Sequence, residues 1–111
     1  MHFIGVVKMK VVEFVKKLGW DEADRVFKNA PFGYPEIVVD DEGVSYGVGL
    51  TPLVGGFHFT LDDLKQLIEA KVLVDAYGGL GEAKYKLDDP MIDASEAWDL
   101  KQAIQLVESC L

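Results

Sequence analysis

Apolar residues recur at helical spacing near the start of the chain. At about 100° per residue, one side of a helix collects Val7, Val11, Phe14, Val15 and Leu18. Gly19 favours a helix end, and a second helix is predicted from Asp21, with Ala23, Val26 and Phe27 facing inward. The two helices form a corner like that of a DNA-binding helix-turn-helix, but three acidic residues crowd the start of the second helix, which disfavours DNA binding.

The next segment alternates as strands do and predicts an antiparallel hairpin over residues 36–51. Asp40 to Gly43 suit a type I turn, and Pro52 is expected to end the second strand. With Asp40 opposite Val44, one face carries Val38, Val44, Tyr46, Val48 and Leu50, and the other carries Ile37, Val39, Ser45, Gly47 and Gly49. A turn at Gly55-Gly56 precedes a short third strand, Phe57 to Phe59.

The second half of the chain is predicted to contain a helix, a second hairpin and a last helix. Thr60 suits an N-cap for a helix whose inward face is Leu61, Leu64, Leu67 and Ile68. Past Ala70 the same face would carry Lys71 and Asp75, so the periodicity favours a hairpin over residues 71–87 instead. Asp93 and Glu96 then form a capping box before a stripe of Ala97, Leu100, Ile104, Val107 and Leu111.

This order predicts one α+β domain over residues 1–111. We expect an antiparallel sheet of four to five strands in two hairpins, about 36–51 and 71–87, with N-terminal, central and C-terminal helices packed on one face. A chain of 111 residues is long enough to bury a core of its own.

The charge of the chain limits the kinds of partner. The net charge is −8, and after residue 28 there are fifteen acidic residues against five basic ones. This balance disfavours nucleic acid and suits a basic protein partner, although solubility alone also accounts for it. The apolar run from Phe3 to Val7 is too short for a membrane span, and the single cysteine, Cys110, forms no internal disulfide, so a cytoplasmic location is expected.

Known cofactor and metal motifs are incomplete. Gly47-Val-Gly49 leads to Pro52, where a dinucleotide fingerprint needs a third glycine, and no Gly-Lys-Ser or Gly-Lys-Thr ends a phosphate loop. The carboxylates in turns lack the spacing of a calcium loop, and no Cys or His cluster suits zinc. Cys110 has no cysteine-protease signature around it. We therefore predict no cofactor, no metal and no catalytic residue.

A ligand groove is the first candidate site. Gly47 and Gly49 share one side of their strand and leave space beside Ile37 and Val39, which either a helix or a ligand can fill. Tyr46 and His58 are predicted at its rim. His58 is either an acid-base group or an ordinary surface histidine, because acid-base work needs an orienting carboxylate that the sequence does not reveal.

A subunit interface is the second candidate. Trp98 and Leu106 lie off the inward stripe of the last helix, where aromatic residues suit an interface, although Trp98 could equally fold over a loop of its own subunit. The sequence thus favours a non-catalytic, acidic binding protein, a homodimer that engages a basic protein in an inhibitor or immunity-type role. The alternative is a small-molecule-binding domain or minor enzyme that uses the groove.

Overall fold

The fold is that of a computed structural model, which describes residues 9–41, 43–49 and 56–111. Within these ranges the chain forms an α+β domain, as predicted. Its elements are α1 (Met9–Leu18), α2 (Trp20–Lys28), β1 (Glu36–Asp40), β2 (Gly43–Gly47), β3 (Phe57–Thr60), α3 (Leu61–Ala76), α4 (Leu80–Leu87) and α5 (Ala94–Ser109). The predicted positions of His2, Val7, Leu50, Pro52 and Gly55 lie outside the described residues.

The described strands form one antiparallel sheet in the order β2-β1-β3. The first hairpin is confirmed, but its predicted register is wrong by one residue, because Asp40 lies opposite Gly43 and not Val44. Ile37 consequently lies between Tyr46 of β2 and Phe59 of β3. A slip of one residue moves every side chain to the other face of the sheet. The observed register is the one that buries Ile37 together with Phe59.

One face of this sheet packs on α1, α2 and α3, and we call the resulting cluster the sheet core. Phe14, Val26, Ile37 and Leu67 are fully buried in it. The Tyr46 hydroxyl donates a hydrogen bond to the backbone oxygen of Val26 over 2.7 Å. The bond ties β2 to α2 and satisfies a polar group at the edge of the apolar cluster.

The second predicted hairpin, over residues 71–87, is wrong. This segment forms the end of α3 and all of α4, so the described sheet has three strands and not four or five. The buried side of α3 includes Leu64 and Leu67, as predicted, but it continues through Ala70 and Val74 and not through Ile68, which is only partly buried. The buried side of α3 therefore changes direction along the helix, because its start and its end pack against different parts of the fold.

Lys71 and Asp75, which had argued against a helix, are accommodated at the edge of that buried side. The Lys71 ammonium lies 2.7 Å from the Asp75 carboxylate and 5.9 Å from the centre of the Trp20 ring. Residues four apart on a helix are neighbours, so the opposite charges support the helix.

The end of α3 packs with α4 and α5 in a second cluster, the helix core. Its buried residues are Ala70, Val74, Ala83, Leu100, Ala103, Ile104 and Val107, so the predicted stripe of the last helix is confirmed at its centre. The predicted N-caps are confirmed too: Asp63 N–H donates to Thr60 Oγ1 over 3.0 Å, and Ser95 N–H donates to Asp93 over 3.0 Å. None of the five described helices is long and apolar enough to cross a membrane.

Candidate functional site

The six residues of the predicted groove do not line one surface. Because the register differs by one residue, Ile37, Val39 and Tyr46 face the sheet core. Gly47 and His58 lie on the opposite face of the sheet, since Gly47 pairs with Glu36 and His58 pairs with Val38. The structure therefore removes three residues from the groove and leaves the two glycines and His58 as a smaller candidate site.

A carboxylate that the sequence did not reveal joins this smaller site. Glu36 Oε1 lies 2.8 Å from His58 Nε2, and Glu36 Oε2 accepts a hydrogen bond from the backbone N–H of Gly49. The Gly49 hydrogen bond, followed by the one with His58, lowers the pKa of Glu36 below its usual 4.5. We call this arrangement the Glu36–His58 pair. A carboxylate on Nε2 orients the imidazole and leaves Nδ1 for a ligand or a proton.

The nearest serine on this face is too far from the pair to act as a nucleophile. Ser45 and His58 both lie opposite Val38, one on each neighbouring strand. Adjacent strands are about 4.8 Å apart, so Ser45 and His58 are separated by roughly 10 Å, beyond the reach of a direct hydrogen bond. Ser45 therefore does not complete a Ser-His-Glu triad with the Glu36–His58 pair. The pair is suited instead to ligand binding or proton transfer.

The two residues of the predicted interface, Trp98 and Leu106, differ in exposure. Trp98 is 47% exposed, but Leu106 is partly buried and packs against both the sheet core and the helix core. Leu106 thus contributes to folding, and the exposed part of Trp98 is what remains of the predicted interface.

Among the described residues, the most exposed large apolar side chain is that of Phe32, on the loop between α2 and β1, which was not predicted as a site. Phe32 is fully exposed and Tyr34 is 47% exposed. Both residues line an open groove of about 590 Å³. We call the whole the Phe32 surface, formed by Phe27, Ala30, Pro31, Phe32, Gly33, Tyr34, Pro35 and Leu61. In the sequence this loop is the run "APFGYP", which places two aromatic residues and a glycine between two prolines.

Several features of this loop fix its backbone. Pro31 and Pro35 restrict φ to a narrow range, and Gly33 adopts φ +89°, which side chains other than glycine rarely allow. The Leu61 N–H donates to the Pro35 carbonyl oxygen over 2.7 Å and so joins the end of the loop to the start of α3. The aromatic side chains are thus carried on a braced loop.

The other titratable side chains of the described residues form neither a metal site nor an activated nucleophile. The described ranges contain no group of three or more His, Cys, Asp or Glu placed to hold a metal ion. Cys110 is buried in the sheet core, and this burial raises its pKa to about 11, so the thiol is protonated at neutral pH. Comparison of the chain with protein-family models, curated proteins and solved structures gave no match.

Proposed function

We propose that this protein acts by binding another protein through the Phe32 surface. The observation that carries the proposal is a fully exposed phenylalanine that lines an open, mostly apolar groove of about 590 Å³. Single exposed apolar residues are common, but a contiguous apolar patch with two aromatic side chains is typical of interaction sites. A partner side chain seated in the groove would bury both aromatic residues.

The restricted backbone conformation of the loop favours binding. Binding costs conformational entropy when side chains and loops must be ordered, and a loop already held in one conformation avoids part of that cost. Truncation of a central aromatic anchor typically costs about 2 kcal/mol or more, or roughly 30-fold in affinity. We therefore expect Phe32 to contribute much of the binding free energy.

The charge of the protein indicates the chemistry of the partner. The net charge of −8 favours association with a positively charged segment and raises its rate of encounter. Asp62 is exposed and adjoins Leu61, a residue of the groove. The partner segment we propose combines an apolar anchor with flanking lysine or arginine. The homodimer through Trp98, the inhibitor or immunity-type role and the cytoplasmic location stay predictions from the sequence.

Selection from a random peptide library on the immobilised full-length chain tests the proposal. We expect the enriched peptides to combine aromatic or aliphatic residues with basic ones, and to bind Phe32→Ala roughly 30-fold more weakly. Met91→Ala is the matched control, because Met91 is 87% exposed and lies outside the Phe32 surface. Peptides that bind wild type and Phe32→Ala equally well would show that the binding surface lies elsewhere.

The Glu36–His58 pair favours a second candidate function, binding of a small molecule on the outer face of the sheet. The specific observation is the 2.8 Å contact that orients the imidazole beside Gly49. In an NMR fragment screen, a ligand of this site is expected to shift the Gly49 amide in wild type and to lose that shift in His58→Ala. Fragments that leave Gly49 unshifted in the wild-type protein argue against a site here.

The pair also predicts a pH-dependent stability that can be measured without a ligand. Because the folded-state pKa of Glu36 is lowered, its ionised form stabilises the fold above about pH 4.5, and this stabilisation is lost as the pH falls through the folded-state value. We expect Glu36→Gln to be less stable than wild type at pH 7 and the difference to shrink below pH 4.5. A difference that stays constant down to pH 3 would contradict the role of the carboxylate.

A further inference from the structure

A cleft beside α4 is separate from every site described above. It measures about 500 Å³ and is lined by Tyr77 at the end of α3, by Glu82, Tyr85 and Lys86 of α4, and by Asp88 and Asp89 in the turn that follows. This size is that of a small-ligand site. Leu61 of the Phe32 surface begins α3 and Tyr77 follows its end, so the two sites lie about 24 Å apart along the helix.

Two aromatic rings form part of the cleft, and one of them is held in place. The Tyr77 hydroxyl donates a hydrogen bond to the Glu96 carboxylate of α5, which fixes the orientation of its ring. Tyr85 of α4 is 78% exposed, so most of its ring is open to solvent. The faces of such rings attract cations.

The carboxylates of the cleft leave it with a negative charge. Lys86 Nζ lies 3.3 Å from the Asp89 carboxylate, so these two charges offset each other. Glu82 and Asp88 make no hydrogen bond or ion pair through their side chains with any other residue that the structure describes. The lining therefore carries two carboxylates without an ion-pair partner among the described residues, beside two tyrosine rings.

We infer that the α4 cleft binds a primary alkylammonium group, the chemical group shared by a lysine side chain and a free polyamine. The tyrosine rings would contact the alkyl chain and the cation, and Glu82 and Asp88 would accept hydrogen bonds from the ammonium. An anion is disfavoured by three carboxylates against one lysine. A metal ion is disfavoured because no metal-binding group of residues occurs in the described ranges.

Amide chemical shifts of the full-length chain test this inference with two probes, 1,5-diaminopentane and the blocked peptide acetyl-Gly-Gly-Lys-Gly-Gly-amide. We expect saturable shifts confined to the amides of residues 77–89, with half-saturation at roughly millimolar concentration. A response to the peptide assigns a lysine side chain as the natural source, and a response to the diamine alone assigns a free polyamine. The neutral compound 1-pentanol is expected to produce no such shifts.

Charge-neutral variants provide the second part of the test. The double variant Glu82→Gln/Asp88→Asn is expected to weaken binding of the responding probe by about tenfold. Asp99→Asn removes an exposed charge of α5 outside the cleft and is expected to leave the affinity unchanged. The inference is overturned if neither amine gives saturable shifts, if 1-pentanol gives the same shifts, or if the double variant binds as wild type does. None of these results depends on Phe32, so the two sites succeed or fail separately.

Discussion

Phe14→Ala is expected to lower the free energy of unfolding by about 3 to 5 kcal/mol. Phe14 is fully buried in the sheet core, and its ring centre lies 5.0 Å from that of Phe59 and 5.9 Å from that of Phe57. Truncation removes the contacts of the Phe14 ring with Phe57 and Phe59 and leaves a cavity. Urea denaturation followed by circular dichroism measures the loss.

Phe32→Ala is the matched control for this prediction, because it deletes the same atoms from a fully exposed position. We expect it to change the free energy of unfolding by about 0.5 kcal/mol or less. Domains of this size are stable by only about 5 to 15 kcal/mol, so if Phe14→Ala does not fold, Phe14→Leu provides a milder loss of the same sign. Equal effects of Phe14→Ala and Phe32→Ala would contradict the burial described for α1.

Alkaline pH is expected to destabilise the wild-type protein through Cys110. Burial raises the pKa of this thiol from 9.0 to about 11, while the nearby Lys16 charge acts weakly in the other direction. The unfolded chain therefore loses the thiol proton before the folded chain does, and stability falls as the pH rises from 9 to 11. A shift of this size corresponds to about 2 to 3 kcal/mol.

Cys110→Ala isolates the contribution of the thiol. Other groups titrate in the same range, since burial raises the pKa of Tyr46 and the Glu96 hydrogen bond raises that of Tyr77. The difference in unfolding free energy between wild type and Cys110→Ala cancels those contributions. We expect it to change by about 2 kcal/mol against wild type between pH 9 and pH 11. A difference independent of pH would mean that the thiol is not buried.

Local signals predicted the ends of the helices well. Caps depend on a side chain and a backbone N–H two or three residues away, so Thr60 and Asp93 could be identified from sequence alone. The stripe of α5 was predicted for a similar reason, because Leu100, Ile104 and Val107 face a single neighbouring cluster along most of the helix.

Features that depend on tertiary packing were not predicted. The helix α3 contacts the sheet core through Leu67 and the helix core through Val74, so its buried side turns along its length and a single helical face does not describe it. The predicted register of β1 and β2 was wrong by one residue because both registers place apolar residues of the two strands on one face of the sheet. Tertiary contacts distinguish them, namely the pairing of Ile37 with Phe59 in β3 and the hydrogen bond of Tyr46 to α2.

The candidate sites show the same division between local and tertiary information. His58 was correctly singled out as a residue of interest, but its carboxylate partner Glu36 lies 22 positions away in the chain and is brought close only by the pairing of β1 with β3. The Phe32 surface could not be predicted from sequence, because it forms only where α2 and the start of α3 flank the loop. The sequence of the loop itself shows only two aromatic residues between two prolines.

The binding role of the Phe32 surface is tested most directly by mapping where a selected peptide binds. Amide chemical shifts are recorded while the peptide is added to the wild-type protein, and then to Phe32→Ala. We expect the largest shifts at the amides of Phe27, Ala30, Phe32, Gly33, Tyr34 and Leu61, and roughly 30-fold weaker binding in the variant. Shifts centred on Trp98 or on α4, with residues 30–35 unchanged, would contradict the proposed function.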